Sequence, residues 1–292
     1  MTKKKLILGT VQFGLNYGVN NTKGKPSSEN IKNILDTAYN NGIYLLDTAE
    51  AYGDSQEKIG EYHQNSSNKF EIITKFSATV KNLPFNITER IKKNIATLQV
   101  DNLYCYMFHS FKDFDSYFKP FQKDLSSLKK EGIIKKIGVS LYKNEEFEKV
   151  LEFDDIDLVQ LPFNLLDNTT KRGEILSKAV KKGIEIHTRS VFLQGLFFKK
   201  TKDLSGNLKP LNKNFDKLHN LCSDNYKMSD LALNYVHSQE KIDKVLIGVD
   251  TVNQLLDNLS SIKKEISSDR IEEINNINVE QNELLNPSNW KL

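Results

Sequence analysis

Strand-like and helix-like segments alternate along the whole chain, and this alternation limits the folds that the sequence can adopt. It favours a parallel sheet with crossover helices over an all-α or all-β design. Eight strands are predicted, at residues 6–10, 43–47, 70–75, 103–109, 134–140, 156–160, 184–189 and 244–248. The pattern therefore predicts an α/β protein that folds as a single (β/α)8 TIM barrel.

The segments between these strands have the apolar spacing of amphipathic helices, with apolar residues recurring at intervals of three and four. The clearest examples are residues 28–40, 88–98, 117–130 and 144–153, with later helical patterns at 228–239 and 269–277. Gly42, Gly132 and Gly183 each stand between a helix and the next strand, where a left-handed helix exit is easiest for glycine. This regular spacing supports a closed barrel.

Length and charge limit the class of protein. A chain of 292 residues matches the size of one α/β barrel, so one domain spanning residues 1–292 is expected. The net charge of +3 comes from dispersed lysines, which argues against a nucleic-acid partner. The basic run Lys3-Lys4-Lys5 precedes an apolar stretch too short for a signal peptide, and no apolar run could span a bilayer. These features predict a cytoplasmic protein with no membrane partner.

The two cysteines do not suggest a metal site. Cys105 lies within an apolar strand and Cys222 near a helix end, without Cys-x-x-Cys spacing or a neighbouring histidine cluster. We expect both to be reduced, packed thiols and expect no metal ligands.

Three successive predicted strands end in residues whose side chains can take part in catalysis: Asp47, Lys75 and His109. Tyr52 follows Asp47 in a strand-to-helix loop that leads through Gly53 to a helix start. The C-terminal ends of parallel barrel strands share one face, where active sites of this architecture lie. A purely structural alternative is that Asp47 caps a turn, or pairs with Lys75, while Tyr52 packs over the strand end.

The chain resembles the aldo-keto reductases over nearly its whole length. The resemblance is carried by Leu8-Gly9-Thr10, by Asp47-Thr48-Ala49-Glu50-Ala51-Tyr52-Gly53, by Thr74-Lys75 and by Phe108-His109. It implies a catalytic tetrad of Asp47, Tyr52, Lys75 and His109 and a small-molecule carbonyl substrate. A tyrosine is a poor proton donor and acceptor at neutral pH unless positive charge favours its anion, so we expect Lys75 to supply that charge and Asp47 to hold the ammonium. His109 would donate to the substrate oxygen.

The same resemblance implies a nicotinamide cofactor laid across the barrel mouth. Ser140 and Gln160 would hold the nicotinamide carboxamide, and Arg189 stands where many members stack a tyrosine on that ring. An arginine can also stack on a ring, or it could bind an anionic substrate or pair with an acidic residue at the rim. The remaining implied cofactor contacts are Gly9, Thr10, Ser190, Gly195, Gly248, Gln254 and Asn258.

The resemblance favours NADP(H) over NAD(H), although Gln254 occupies the position where an arginine often binds the ribose 2'-phosphate. The chain has no Gly-x-Gly-x-x-Gly dinucleotide fingerprint, which argues against a Rossmann domain. The segment after Arg189 is expected to lie over the mouth and to close on cofactor. Trp290, in the C-terminal tail, could shape the pocket or pack on the barrel wall.

The function implied is NAD(P)H-dependent reduction of an aldehyde or ketone. The pattern also resembles bacterial members associated with surface-polysaccharide synthesis, which makes sugar-derived carbonyl compounds candidate substrates. Two alternatives stay open at this point: a Schiff-base aldolase that uses Lys75, and a cofactor-sensing regulatory subunit. The sequence predicts no oligomeric state.

Overall fold

Eight parallel strands pair in sequence order and close into a barrel, with β8 pairing with β1. The computed structural model describes residues 5–22 and 24–290. Lys3 and Lys4, the first two residues of the basic run, lie outside the described residues. The strands are β1 Leu6–Gly9, β2 Leu45–Asp47, β3 Glu71–Phe76, β4 Cys105–Phe108, β5 Ile137–Ser140, β6 Leu158–Pro162, β7 Glu185–Arg189 and β8 Lys244–Gly248. The predicted (β/α)8 barrel is confirmed.

Helices cover the outside of the barrel and follow the strands. They are α1 Val11–Gly14, α2 Ser28–Asn40, α3 Ser55–Asn65, α4 Ile87–Leu98, α5 Phe111–Lys130, α6 Asn144–Val150, α7 Thr169–Lys181, α8 Asn212–Asn220, α9 Met228–His237, α10 Val252–Ser261 and α11 Ser268–Asn275. Short 3-10 segments occupy Leu193–Phe198, Thr201–Asp203, Gly206–Leu211, Asn282–Leu285 and Pro287–Asn289. Gly42, Gly132 and Gly183 have φ of 79°, 75° and 73°, as expected for helix exits.

An apolar layer fills the interior of the barrel and forms the floor beneath the functional face. Its fully buried members include Leu45, Ile73 and Leu158. Each of the three lies two residues before a polar residue on the same strand, namely Asp47, Lys75 and Gln160. Side chains two apart on a strand share a face, so this polar layer lies directly above the apolar one. Burial of each apolar side chain contributes about 1.5–3 kcal/mol relative to exposure.

Several predicted strands are longer than the observed ones. The fourth and fifth strands begin at Cys105 and Ile137, whereas the sequence predicted starts at 103 and 134. Leu103 and Ile134 instead form an isolated parallel bridge before the continuous ladder begins. Apolar residues at these positions pack in the core without being part of the ladder. Hydrophobicity alone therefore predicted starts for these two strands that are too early in the sequence.

Two helical regions also differ from the prediction. The helix predicted at 117–130 begins at Phe111, because the Ser110 side chain caps the Asp113 N–H at 3.0 Å. The sequence analysis predicted no helix between β7 and residue 228, yet this stretch contains 3-10 turns and leads into α8. Phe215 and Leu218 on α8 are fully buried, so tertiary packing stabilises a helix in a lysine-rich segment.

No described helix is both long and apolar enough to cross a membrane. Cys105 and Cys222 are free thiols, the first fully buried and the second partly so. Within residues 5–22 and 24–290, no group of histidine, cysteine, aspartate or glutamate side chains is arranged to hold a metal ion.

Candidate active site

A buried ion pair lies at the centre of the barrel's C-terminal face. Asp47 ends β2 and is 2% exposed, while Lys75 lies near the end of β3 and is 1% exposed. The Lys75 ammonium pairs with Asp47 Oδ1 and also donates to the Thr48 carbonyl oxygen at 2.9 Å. Gln160 on β6 donates from Nε2 to Asp47 Oδ2 at 2.8 Å. Both carboxylate oxygens are thus satisfied, one from the neighbouring strand β3 and the other from β6 across the barrel.

Tyr52 and His109 lie beside this ion pair and are partly exposed to the space above it. Their ring centroids are 5.5 Å apart with an interplanar angle of 79°. The Lys75 ammonium lies 5.2 Å from the centroid of the Tyr52 ring. His109 follows β4 directly, and its backbone N–H donates to the Phe76 carbonyl oxygen at 2.9 Å. The four residues of the implied tetrad therefore come together in the folded chain.

A close contact between two glycines positions the loop that carries Tyr52. A Cβ on Gly14 would lie 1.7 Å from the Tyr52 carbonyl oxygen, and one on Gly53 would lie 2.4 Å from the Gly14 carbonyl oxygen. Gly53 also has φ of 57°, a conformation that favours glycine. Any side chain at either position would push α1 away from the Tyr52 loop.

Glu50 anchors the same loop from below. Its side chain is fully buried and forms an ion pair with Arg90 on α4. It also accepts hydrogen bonds from Asn94 and from the Tyr106 hydroxyl, each at 2.7 Å, and from the Ser77 N–H at 3.2 Å. The short segment between Asp47 and Tyr52 is therefore tied to α4, to β4 and to the loop after β3.

Burial dominates the electrostatics of the site. It raises the pKa of Tyr52, Asp47 raises it further, and the Arg189 guanidinium opposes both effects. Burial lowers the pKa of Lys75, while the Asp47 carboxylate raises it. Burial, with Lys75 and Arg189, lowers the pKa of His109 to about 3. Tyr52 therefore keeps its proton and His109 is neutral near pH 7. The Arg189 guanidinium favours the Tyr52 anion.

A cavity of about 680 Å³ opens above the ion pair, within the usual size range of ligand pockets. Every residue that the sequence implicated in catalysis or cofactor binding lines this cavity, except Lys75, which lies beneath it. Those lining residues are Gly9, Thr10, Asp47, Tyr52, His109, Ser140, Gln160, Arg189, Ser190, Gly195, Gly248, Gln254 and Asn258. Thr10 is fully buried, and its hydroxyl donates to the Asp47 carbonyl oxygen at 3.0 Å.

Arg189 lies in the cavity at the end of β7. Its guanidinium carbon is 4.1 Å from the centroid of the Tyr142 ring, and Nη2 donates to the Leu141 carbonyl oxygen at 3.2 Å. In the part of the chain that the structure describes, none of the ion pairs includes Arg189, so the expected alternative of an acidic partner at the rim has no support there. The guanidinium is held by an aromatic face and a carbonyl group.

The segment between β1 and α2 forms a second wall that the sequence analysis missed. Tyr17 lines the cavity, and burial raises the pKa of its hydroxyl to about 12. Gln194 donates to the Tyr17 hydroxyl at 2.8 Å, and its carbonyl oxygen accepts from the Val19 N–H at 3.1 Å. Asn20 donates to the Gly195 carbonyl oxygen at 2.6 Å. The length and polarity of this segment, directly after β1, could have indicated that it lies at the cavity.

The segment after β7 meets this wall across the mouth, as expected from its position. Ser190, Leu193, Gln194 and Gly195 have positive φ values of 63°, 48°, 54° and 89°. Such a backbone is strained for Leu193, whose side chain is fully buried. The core contact at Leu193 therefore holds the turn that carries Gln194 and Gly195 towards the Tyr17 segment.

The C-terminal tail contributes through residues other than Trp290. Pro287 and Ser288 line the cavity. Trp290 packs against the main core and donates from Nε1 to the Leu284 carbonyl oxygen at 2.7 Å. The second of the two roles considered for Trp290, packing on the barrel, is the one observed.

Solved structures of aldo-keto reductases share this fold. The holo form of aldo-keto reductase AKR11C1 from Bacillus halodurans is 18% identical, with a TM-score of 0.76 over 95% of this chain and 94% of that chain. Its apo form is 20% identical, with a TM-score of 0.68 over 88% and 90%. PA4992 from Pseudomonas aeruginosa, described as a putative aldo-keto reductase, is 20% identical, with a TM-score of 0.64 over 88% of this chain and 89% of that chain.

No curated protein matches the chain. The family model of the aldo/keto reductase family, in contrast, matches residues 5–279, which is nearly the whole sequence. The chain therefore belongs to the aldo/keto reductase family of oxidoreductases, which act on carbonyl compounds.

Proposed function

We propose that this protein reduces an aldehyde or ketone to an alcohol with a nicotinamide nucleotide, and that Tyr52 donates the proton. The observation that carries the proposal is the grouping of Tyr52 and His109 above the buried Asp47–Lys75 ion pair, at the floor of the cavity. Sugar-derived carbonyl compounds are candidate substrates, because the sequence pattern resembles bacterial members associated with surface-polysaccharide synthesis.

Tyr52 and His109 provide two hydrogen-bond donors for the carbonyl oxygen. Negative charge develops on this oxygen during reduction, so donors held in place beside it stabilise the transition state. The raised pKa of Tyr52 keeps its hydroxyl protonated until a stronger base forms at the substrate oxygen. His109 is neutral and donates one ring N–H. The Lys75 ammonium, held by Asp47, offsets the anion left on Tyr52 after proton transfer.

The residues of the cavity fit an extended nucleotide. The cavity reaches from Tyr52 to Gln254 and Asn258 on α10 in the outer ring of helices. The Gln12 side chain, 8% exposed, lines this space and has a buried Oε1 without a hydrogen-bond partner among the described residues. Ser140, Gln160 and Arg189 would hold the nicotinamide end, and Gly9, Thr10, Ser190, Gly195 and Gly248 the rest. The bound nucleotide would supply the hydride.

We propose that residues 1–292 act as one barrel domain, that the protein is cytoplasmic, and that its partner is a small-molecule carbonyl substrate. The two free thiols support a reducing compartment. The family resemblance alone would favour NADP(H) over NAD(H) as this nucleotide.

The geometry does not favour the Schiff-base alternative. An aldolase needs a neutral, accessible amine, whereas the Lys75 ammonium is 1% exposed, lies beneath the cavity and donates to Asp47 and Thr48. A cofactor-sensing subunit would need the same nucleotide site without turnover. Tight nucleotide binding without reduction of any compound in a panel of sugar aldehydes and ketones would support that second alternative.

Replacement of Tyr52 by phenylalanine tests the proposal. We expect Tyr52→Phe to lower turnover on the order of a hundredfold or more, because the proton donor is lost, with nearly unchanged nucleotide affinity. Tyr62→Phe is the matched control, since the Tyr62 hydroxyl bonds to Asp36 outside the cavity. Turnover at the wild-type level in Tyr52→Phe, measured where hydride transfer limits the rate, would refute the role of Tyr52.

A further inference from the structure

We propose that the cavity accepts NAD(H) in preference to NADP(H), with Asp250 as the residue that discriminates between them. The inference rests on the proposed function, because it assumes that a nicotinamide reaches Tyr52. With the nicotinamide at Tyr52, the adenosine half of an extended nucleotide has to lie towards the outer end of the cavity. The charges at that end decide whether a 2'-phosphate is tolerated.

Asp250 lies where β8 ends and the chain turns into α10, and it lines the cavity. Two asparagines from the β1–α2 region hold it: Asn21 donates to Asp250 Oδ1 at 3.3 Å, and Asn30 donates to the Asp250 carbonyl oxygen at 2.8 Å. Partial burial raises the pKa of the Asp250 carboxyl. Asn21 therefore holds the carboxylate in the wall, and Asn30 holds the Asp250 backbone.

Gln254 is also held in place, and its neutral amide offers no positive charge to a phosphate. Its Oε1 accepts the Asp250 N–H at 2.6 Å, and its own N–H is capped by the Thr251 hydroxyl at 3.2 Å. Asp257, one turn further along α10, adds a second carboxylate to the same end of the cavity. A carboxylate can accept a hydrogen bond from a ribose 2'-hydroxyl, whereas a 2'-phosphate brings two further negative charges beside it.

Among the described residues, the positive charge that lines the cavity lies at the opposite end from Asp250. Arg189 is the one lysine or arginine among the described residues that line the cavity, and it is stacked on Tyr142 after β5. Like charges brought together in a binding site disfavour the wrong ligand strongly, so the outer end should select against the phosphorylated nucleotide. This charge distribution opposes the NADP(H) preference that the family resemblance suggested.

The Gln12 amide supplies an independent sign that this wall is built for a ligand. A Cβ on Gly248 would lie 2.4 Å from Gln12 Nε2, so Gln12 reaches the end of β8 directly beside the chain that leads to Asp250. Its buried Oε1 is an acceptor without a partner in the described chain. Such an acceptor suits a neutral hydroxyl donor better than a phosphate.

Calorimetric titration of the cofactor-free full-length protein with NADH and NADPH tests the inference. We expect wild type to bind NADH at least about tenfold more tightly, and Asp250→Asn to reduce this ratio about tenfold by removing the charge. Gln254→Arg should strengthen NADPH binding selectively. Asp216→Asn, on the exposed side of α8, is the matched control and should leave the ratio unchanged.

Lys23 lies outside the described residues, and Lys23→Ala is therefore included in the titrations. The inference is overturned if wild type binds NADPH as tightly as NADH, if Asp250→Asn leaves the ratio unchanged, or if Lys23→Ala selectively abolishes NADPH binding. Failure of both nucleotides to bind would instead refute the proposed function as a whole, which separates the two conclusions.

Discussion

Gln160 and Asp47 are joined by a 2.8 Å hydrogen bond across the interior of the barrel, from the amide of one to the carboxylate of the other. Gln160 is 1% exposed and also lines the cavity. The residue implied to hold the nicotinamide carboxamide is thus part of the hydrogen-bond set that holds the buried ion pair. The Gln160 side chain therefore serves two purposes: it is an implied cofactor contact, and it helps to hold the tetrad residue Asp47 in place.

Gln160→Met should therefore affect stability as well as catalysis. Loss of a hydrogen bond to a buried charged group is expected to lower the free energy of unfolding by about 1.5–3 kcal/mol. Turnover and nucleotide affinity should fall together. Gln122→Met is the matched control, because Gln122 bonds to Asp155 at 2.6 Å on the outer surface. Denaturant unfolding and steady-state kinetics measure both effects, and equal losses in the two variants would contradict the prediction.

Glu50→Gln should loosen the loop that carries Tyr52. The change leaves the Arg90 guanidinium buried without its carboxylate, which typically costs about 3–5 kcal/mol of stability. Turnover should fall more than nucleotide affinity, since Glu50 touches neither ligand nor cavity. Glu148→Gln is the matched control, because it breaks an exposed pair with Lys178 and should leave the free energy of unfolding nearly unchanged. A Glu50→Gln enzyme with wild-type stability and turnover would show that the loop is held by other contacts.

His109 should stay neutral throughout the range in which histidines usually titrate. Its pKa of about 3, against an ordinary value of 6.5, means that the unfolded chain takes up a proton at pH values where the folded protein does not. Stability should therefore fall as the pH drops from 6.5 towards 3, and less so in His109→Gln. Nuclear magnetic resonance of labelled histidines, assigned by comparison with His109→Gln, would contradict this if the His109 signal titrated near pH 6.5.

Arg189 should contribute to recognition of anionic substrates. One face of its guanidinium is covered by Tyr142, and its charge has no carboxylate partner within the described chain. We expect Arg189→Ala to lower kcat/KM for an anionic aldehyde about tenfold or more relative to a matched neutral aldehyde. Arg189→Tyr should lower the same kcat/KM ratio. If Arg189 also stacks on the nicotinamide ring, this variant should keep nearly unchanged nucleotide affinity, because tyrosine can stack there too. Unchanged values in both variants would leave Arg189 with a structural role only.

The sequence by itself determined the barrel and the positions of its chemically important residues. Short apolar runs alternating with amphipathic segments left few other folds, and the ends of β2, β3 and β4 placed Asp47, Lys75 and His109 on one face. These features are local or depend on a fixed periodicity. They can therefore be inferred before any long-range contact is known.

Only the tertiary structure decided how these residues are held and what charge surrounds them. Leu193 adopts a positive φ, and α8 forms in a polar segment, because buried side chains stabilise both. Arg189 stacks on Tyr142, and Asp250 is held by Asn21 and Asn30, across sequence separations that no local pattern encodes. The pKa values of Tyr52 and His109 depend on the depth at which the closed barrel buries them, since desolvation is the largest influence on both.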